Sequence, residues 1–375
     1  MNKTTYCPLP FSHLAIRPNG RVFPCCIFRW DSVPDDFKIT DPNVFNHPFL
    51  EDIRNKMRNN EPVEGCSRCY ENEEKTGKST RTYFTEKGED FGLDVGSTEP
   101  SLVYLDLALS NTCNNKCRMC GPELSTNWYS DAKALGMKIP KGIIEQKVVL
   151  ESYDLSKLKA IKLIGGEPLM EEEKFINVLK RCDRKQLSIM LTTNATLIPS
   201  PELYSLLSEC KQVRINLSID AFGSLNDFLR KGSKWEKTVE NLHWFYKNFT
   251  ETLDKNSVGL HSVASIYNLN QVDLLYKFVK SNFPKMNIDY VLADGPDWML
   301  PRHLPEAVKD AIKVKIVQWK SETDAPLFKV ALDELNKPGD FRKFIKQDTL
   351  LNDLRSEHWK EHNAELYEMV KGFYE

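Results

Sequence analysis

The chain has 375 residues, 51 of them Lys or Arg and 53 Asp or Glu, for a formal net charge of −2. That balance offers no broad electrostatic surface for nucleic acid, and an apolar share of 41% supports a packed core rather than disorder. No apolar stretch approaches the ~20 residues of a membrane helix.

The opening MNKTTYCPLPFSHL lacks the basic start and apolar run of a secretory signal, so a cytoplasmic location is expected. There, ten cysteines are ligands or core residues rather than disulfides. Next, YCPLPFSHLAIRPNGRVFPCC reads as a hairpin turned at Pro18, Asn19 and Gly20. A helix near PFLEDIRNKMRNN then leads to EPVEGCSRCYENEEKTGKSTR. Residues 1–98 are expected to form a small module held by metal rather than by a core.

Residues 99–300 repeat one theme. Strands are expected at 102–110, 159–164, 187–193, 213–219, 258–266 and 287–293. Amphipathic stretches such as EEEKFINVLKRC, PELYSLLSECK and KWEKTVENLHWFYKNF lie between them. The alternation predicts an α/β fold, a parallel sheet that is open or a partial barrel, with function at the carboxyl ends of its strands. Residues 301–375 read as a charged helical segment packed outside it.

Past the first of these strands comes NTCNNKCRMCGPE, with Cys113, Cys117 and Cys120 at C-x3-C-x2-C. GGEP (Gly165 to Pro168), TTNAT and SIDAFG follow the next three strands, so four polar or glycine-rich segments are expected on one rim. Three thiolates favour a soft metal and fall one short of a closed zinc or cubic cluster site. A zinc site completed by a distant cysteine or histidine leaves the other rim segments unexplained.

CNNKCRMC followed by GGEP resembles the radical SAM superfamily over roughly residues 100–295. The resemblance implies a partial (β/α)6 barrel. Cys113, Cys117 and Cys120 would hold a 4Fe–4S cluster whose open iron is chelated by S-adenosylmethionine. Gly165, Gly166, Glu167 and Pro168 match the segment that cradles the methionine amino group, a task suited to glycine because the backbone must approach closely. Asn194 and Ser218 stand where similar enzymes contact ribose and methionine. Arg230 resembles the arginine that pairs with the methionine carboxylate. Met119 occupies a position that is often aromatic and packed on adenine, and its thioether can still lie against a ring.

The hairpin with NGRVFPCC, and then C-x2-C, resembles the auxiliary-cluster modules called SPASM and twitch, here ahead of the barrel. That likeness implies a second 4Fe–4S cluster held by Cys7, Cys25 or Cys26, Cys66 and Cys69, one of the adjacent pair being spare. A structural zinc knuckle would satisfy the same thiolates.

Other features are read as structural. Cys182 and Cys210 continue apolar helical stripes and are expected in the core. HWKEH (His358 to His362) matches a zinc-peptidase pattern but reads as a solvated helix. Asp294 and Asp297 follow the sixth strand as substrate-side candidates or turn residues.

The expected activity is reductive cleavage of S-adenosylmethionine to a 5′-deoxyadenosyl radical that takes hydrogen from a substrate carbon. The electron would come from a reductant such as flavodoxin or ferredoxin. Oxidation or cross-linking of a peptide side chain is the first substrate reading. A small molecule such as an amino sugar or nucleoside is the second, and a non-catalytic metal-binding scaffold is the reading from outside enzymology.

Overall fold

The structure, a computed structural model, describes residues 5–140, 153–251, 257–320 and 327–374. Residues 1–4 of the stretch read for a signal lie outside them. The chain forms two compact units. One comprises Met1–Thr112, Pro140–Thr192 and Pro199–Arg214, the other Cys113–Ile139, Thr193–Ile198 and Ile215–Glu375. These units cut across the expected division at residues 98 and 300.

The first unit opens with the hairpin, β1 (His13–Ile16) and β2 (Val22–Phe23). It also contains β3 (Tyr104–Ala108), β4 (Ala160–Ile164) and β5 (Ser188–Thr193), the first three of the six expected strands. Their order is β2-β1-β3-β4-β5, next to which comes the start of β6 (Gln212–Ser218). The β1–β2 pair is antiparallel and the other ladders are parallel. Register explains the burial. Leu14, Leu105, Ile161 and Ile189 align in one row, and Ile16, Leu107, Leu163 and Leu191 in another, all buried. Alternation turns the intervening row, Ala15, Asp106, Lys162 and Met190, to the opposite face.

The amino-terminal region differs from its reading as a module without a core. β1 lies beside β3 in the main sheet, and Phe11, Val22, Phe37, Val44 and Ile53 are buried. A two-stranded hairpin is marginal alone and gains stability by joining a larger sheet. Helices α1 (Pro48–Arg58), α2 (Ser67–Thr76) and α3 (Thr80–Lys87) follow it, and α4 (Glu172–Lys180) and α5 (Pro201–Glu209) complete the unit. Both α4 and α5 bury an apolar stripe. Cys182 and Cys210 extend these stripes, each buried and donating its thiol to a carbonyl four residues back. Burial pushes the Cys182 thiol up to about 12. Both belong to the core.

The second unit holds the rest of β6 with β7 (Ser257–Ala264) and β8 (Asn287–Leu292), in the order β6-β7-β8 with β7 and β8 parallel. Along β6 and β7 every second residue is buried. Its helices include a short one at Tyr129–Ala134 and α6 (Ser224–Leu229), α7 (Trp235–Phe245), α8 (Val272–Asn282), α9 (Glu306–Lys320), α10 (Leu327–Leu335), α11 (Phe341–Arg355) and α12 (Ala364–Val370). All six strands read between 102 and 293 are therefore present in a mostly parallel α/β sheet.

Within the carboxyl-terminal segment, HWKEH departs from its reading as a solvated helix, and the charged residues before it are partly buried. Helix α11 buries Asp348, Asn352 and Arg355 in the same stripe as Phe341, Phe344 and Leu351. It stops at Ser356, whose φ of 49° is left-handed. HWKEH is not a helix face but a turn around Trp359. Trp359 is fully buried and donates its Nε1–H to Asp348 at 3.0 Å. His362 lies against the Phe228 ring at 5.2 Å.

Candidate functional site

The cysteine loop begins the second unit. Its backbone is tied to the segment after α6, with the amides of Lys116 and Arg118 donating to the carbonyls of Lys231 and Leu229 at 2.7 and 2.8 Å. Inside the loop the Asn115 amide donates to the Cys113 sulfur at 3.4 Å and the Cys120 amide to the Cys117 carbonyl at 3.1 Å. Ser125 Oγ and Trp128 Nε1 donate to the carbonyls of Asn115 and Cys117 at 2.6 and 2.8 Å. Cys113 and Cys117 are buried and Cys120 is half-buried. Such a loop holds three sulfurs in place before any metal arrives.

Cations surround those sulfurs. Arg230 is buried, with Nη1 3.8 Å from the Cys117 sulfur and Nε 2.7 Å from Asp220. A hydrogen bond from Cys120, with the guanidinium groups of Arg230 and Arg355, holds the Cys117 thiol below its ordinary value against the opposing pull of burial. The same hydrogen bond, together with burial, raises Cys120. Asn194 donates to Asn114 Oδ1 at 2.8 Å and lies 3.9 Å from the Cys113 sulfur. Met119 is half-buried in the loop, and Ser218 is half-buried at the end of β6. The side-chain amide of Asn115 is fully buried, and among the described residues neither its Oδ1 nor its Nδ2 has a hydrogen-bond partner. Buried amides are rarely left so, which fits a loop that receives a further group.

The GGEP segment lies in the first unit. Gly165 has φ +133°, and a Cβ there would meet the Ser110 carbonyl at 2.6 Å. One at Gly166 would meet the Thr112 carbonyl at 2.2 Å. Only glycine allows this approach. The Gly166 and Glu167 amides donate to the Ser110 and Thr112 carbonyls at 2.9 and 2.8 Å. Glu167 is buried and accepts from the Leu169 amide at 3.0 Å. Pro168 opens the turn that follows.

A second centre lies wholly in the first unit. Cys7, Cys25, Cys66 and Cys69 line one small cavity of about 20 Å³ with Leu9, Pro24 and Phe28. Cys66 and Cys69 flank the start of α2, Cys7 precedes the turn at Leu9, and Cys25 follows β2. Burial, and the neighbouring thiols after it, push Cys7, Cys25 and Cys66 well up. Arg81, paired with Glu73, lies beside them, and Arg68 also lines the cavity. Cys26 does not join this set. It lines a neighbouring groove with Arg17 and Trp30, and its charged neighbours are Asp106, Lys162 and Arg17. The geometry thus separates two adjacent cysteines that sequence leaves equivalent.

The two aspartates after β8 are drawn into no such set. Asp294 is exposed. Asp297 is paired with Arg302, His303 and Lys343 at 3.1, 3.2 and 3.1 Å. Conversely, sequence reading missed Arg118, Asp131, Asp348 and Arg355, which anchor the cysteine loop. Their trace was a polar stripe, Asp348, Asn352 and Arg355, at helical spacing among buried residues of α11.

A three-thiol loop among cations and a four-thiol cavity mark an α/β protein built for iron–sulfur chemistry. Residues 107–264 match the radical SAM superfamily, and residues 7–70 match an iron–sulfur cluster-binding domain. The matches imply a 4Fe–4S cluster and S-adenosylmethionine as cofactors, and an auxiliary cluster at the amino terminus is consistent with them.

Among curated relatives, the GTP 3′,8-cyclase of Pelotomaculum thermopropionicum is 25% identical over 57% of this chain and 63% of its own length. That of Sulfurimonas denitrificans is 29% identical over 34% of this chain and 37% of its own. The chain thus spans under two thirds of the first and about a third of the second. Among solved structures, anSMEcpe with bound AdoMet aligns over 59% of this chain and 61% of its own, with 20% identity and a TM-score of 0.41. Streptococcus suis SuiB bound to the precursor peptide SuiA aligns over 68% and 64%, with 16% identity and a TM-score of 0.38. No described helix is long and apolar enough to cross a membrane.

Proposed function

We propose that this protein is a radical SAM enzyme in which Cys113, Cys117 and Cys120 hold the catalytic cluster and Cys7, Cys25, Cys66 and Cys69 hold the auxiliary one. The observation that carries the reading is the cysteine loop itself. It offers three sulfurs with a cation against Cys117, a donor set that leaves one iron of a cluster without a protein ligand. Bound together, the reduced cluster and S-adenosylmethionine supply a carbon radical able to take hydrogen from an unactivated carbon. The chain's own part is positioning and electrostatics. Gly165 and Gly166 keep backbone open for the methionine end of S-adenosylmethionine, with Glu167 fixed beside them. Asn194, Ser218, Arg230 and Met119 are assigned to the same ligand. The resemblance to an iron–sulfur cluster-binding domain favours a cluster over a zinc ion at this four-thiol set.

Of the two substrate classes open from sequence, a small molecule such as an amino sugar or nucleoside takes precedence over a peptide side chain. Curated relatives are named for chemistry on a nucleotide. On the polar face of the first unit's sheet, Lys162 and Arg214 are half-buried cations, with Asp106 beside Lys162. The peptide reading rests on the auxiliary module. A reductant is required, with a flavodoxin or ferredoxin as the proposed donor and the cytoplasm as the proposed location.

The test is anaerobic reconstitution, reduction with dithionite and measurement of 5′-deoxyadenosine. Product from the wild type and none from Cys117→Ala supports the reading. A wild type that binds iron at the loop but forms no product supports a scaffold instead. Mass spectrometry of nucleotide and peptide pools then separates the substrate classes.

A further inference from the structure

The carboxyl-terminal helix α11 reaches into the cysteine loop with charge, and this connection rests on the cluster assignment proposed above. Arg118, between the second and third motif cysteines, is fully buried. Its guanidinium lies 3.9 Å from the Phe228 ring centroid and donates to Tyr267 Oη at 3.1 Å, Asp348 at 3.4 Å, Asn352 at 2.6 Å and Glu357 at 2.9 Å. Asp348 is itself clasped by Tyr267, Asn352, Trp359 and Tyr374 at 2.6 to 3.0 Å. A fully buried arginine and aspartate hold only as a paired, hydrogen-bonded set. The motif's own arginine therefore fastens the loop to residues 348–374.

Arg355, the last residue of α11, makes a second tie. Its Nε donates to Asp131 at 2.8 Å, and Asp131 also accepts from Lys116 of the loop at 2.8 Å. The Arg355 guanidinium stands 4.7 Å from the Trp128 ring centroid, and that indole donates to the Cys117 carbonyl. The remaining two nitrogens, Nη1 and Nη2, are buried without a hydrogen-bond partner among the described residues. Leaving such charged donors unmet is costly unless an anionic group comes close. Asp131 and Glu357 are the carboxylates facing them, Glu357 at 3.9 Å. Neither meets both nitrogens.

We propose that Arg355 is a positioning and electrostatic residue for the catalytic cluster, placing a fixed positive charge beside the Cys117 end of the loop while Arg118 and Asp348 lock the loop to the same helix. A cation there favours the more negative, reduced state and so raises the reduction potential, charge and hydrogen bonding being two of the levers that set cluster potentials.

The experiment uses the full chain, reconstituted without oxygen. Iron content, the electron paramagnetic resonance of the reduced protein with and without S-adenosylmethionine, and the midpoint potential of the S-adenosylmethionine-responsive signal are measured. Arg355→Gln is expected to keep its iron and shift that potential downward, while Arg355→Lys stays near wild type. Arg118→Gln is expected to lose the responsive signal, and adding Asp348→Asn to restore part of it by removing the stranded carboxylate. If Arg355→Gln loses its iron and Arg355→Lys does not, the rescue still shows a required cation. An unchanged potential in Arg355→Gln, iron loss in both Arg355 variants, or an intact signal in Arg118→Gln overturns the proposal. A wild type lacking the responsive signal overturns the proposed function itself.

Discussion

The two cysteine centres are built by opposite means. The amino-terminal set encloses a cavity with four thiols drawn from three separate segments, among apolar neighbours and with Arg68 and Arg81 at its wall. The motif set is one continuous loop of three thiols, tied by backbone hydrogen bonds and faced by Arg230 and Arg355. Four thiols satisfy a cluster and leave it closed. Three within a cationic loop leave a position for a ligand and favour added negative charge.

Breaking the open centre has the largest expected effect. Cys117→Ala abolishes 5′-deoxyadenosine formation altogether, read by chromatography after dithionite reduction. Breaking the closed centre is next and discriminates between neighbours. Cys25→Ser loses about four irons whereas Cys26→Ser keeps them, as measured by metal analysis. Equal iron loss in both would undo the assignment of Cys25. Gly166→Ala forces a methyl against the Thr112 carbonyl and costs about 1–3 kcal/mol of stability in denaturant titrations, with weaker S-adenosylmethionine binding. Cys210→Ala leaves both iron complements intact and costs about 1 kcal/mol, as expected of a core thiol.

The smallest effect is confined to acid. Burial works to raise Asp131, but hydrogen bonds from Lys116 and Arg355 outweigh it and hold its carboxyl below the usual range. A depressed folded value means support that is complete above the unfolded value of about 3.9 and lost as pH falls through the folded one. The stability gap between wild type and Asp131→Asn, measured on cluster-free protein, is therefore expected to narrow below about pH 3.9 and then vanish. A gap that persists at lower pH would show that packing, not charge, ties the loop to α11.

Much of this was legible in the residues alone. Alternating apolar strands and amphipathic helices yielded all six strands after residue 100, because burial on a parallel sheet imposes its period directly on sequence. The three-cysteine spacing and GGEP were legible because a metal loop and a close backbone approach each demand particular residue types. Harder to read were partnerships made across long separations. The charged stretch around Asp348 and Arg355 looked like surface, and HWKEH like a solvated helix, since a buried ion pair differs from an exposed one only in its surroundings.

Sequence by itself determined the fold class, the motif thiols and the glycine cradle, because these depend on local period and on residues without substitutes. Tertiary structure decided that Cys25 and not Cys26 faces Cys7, Cys66 and Cys69, that β1 joins the main sheet, and that Arg118 and Arg355 bind the cysteine loop to the last helices. Each of those outcomes depends on which side chains meet after the chain has folded, and spacing along the chain carries no record of it.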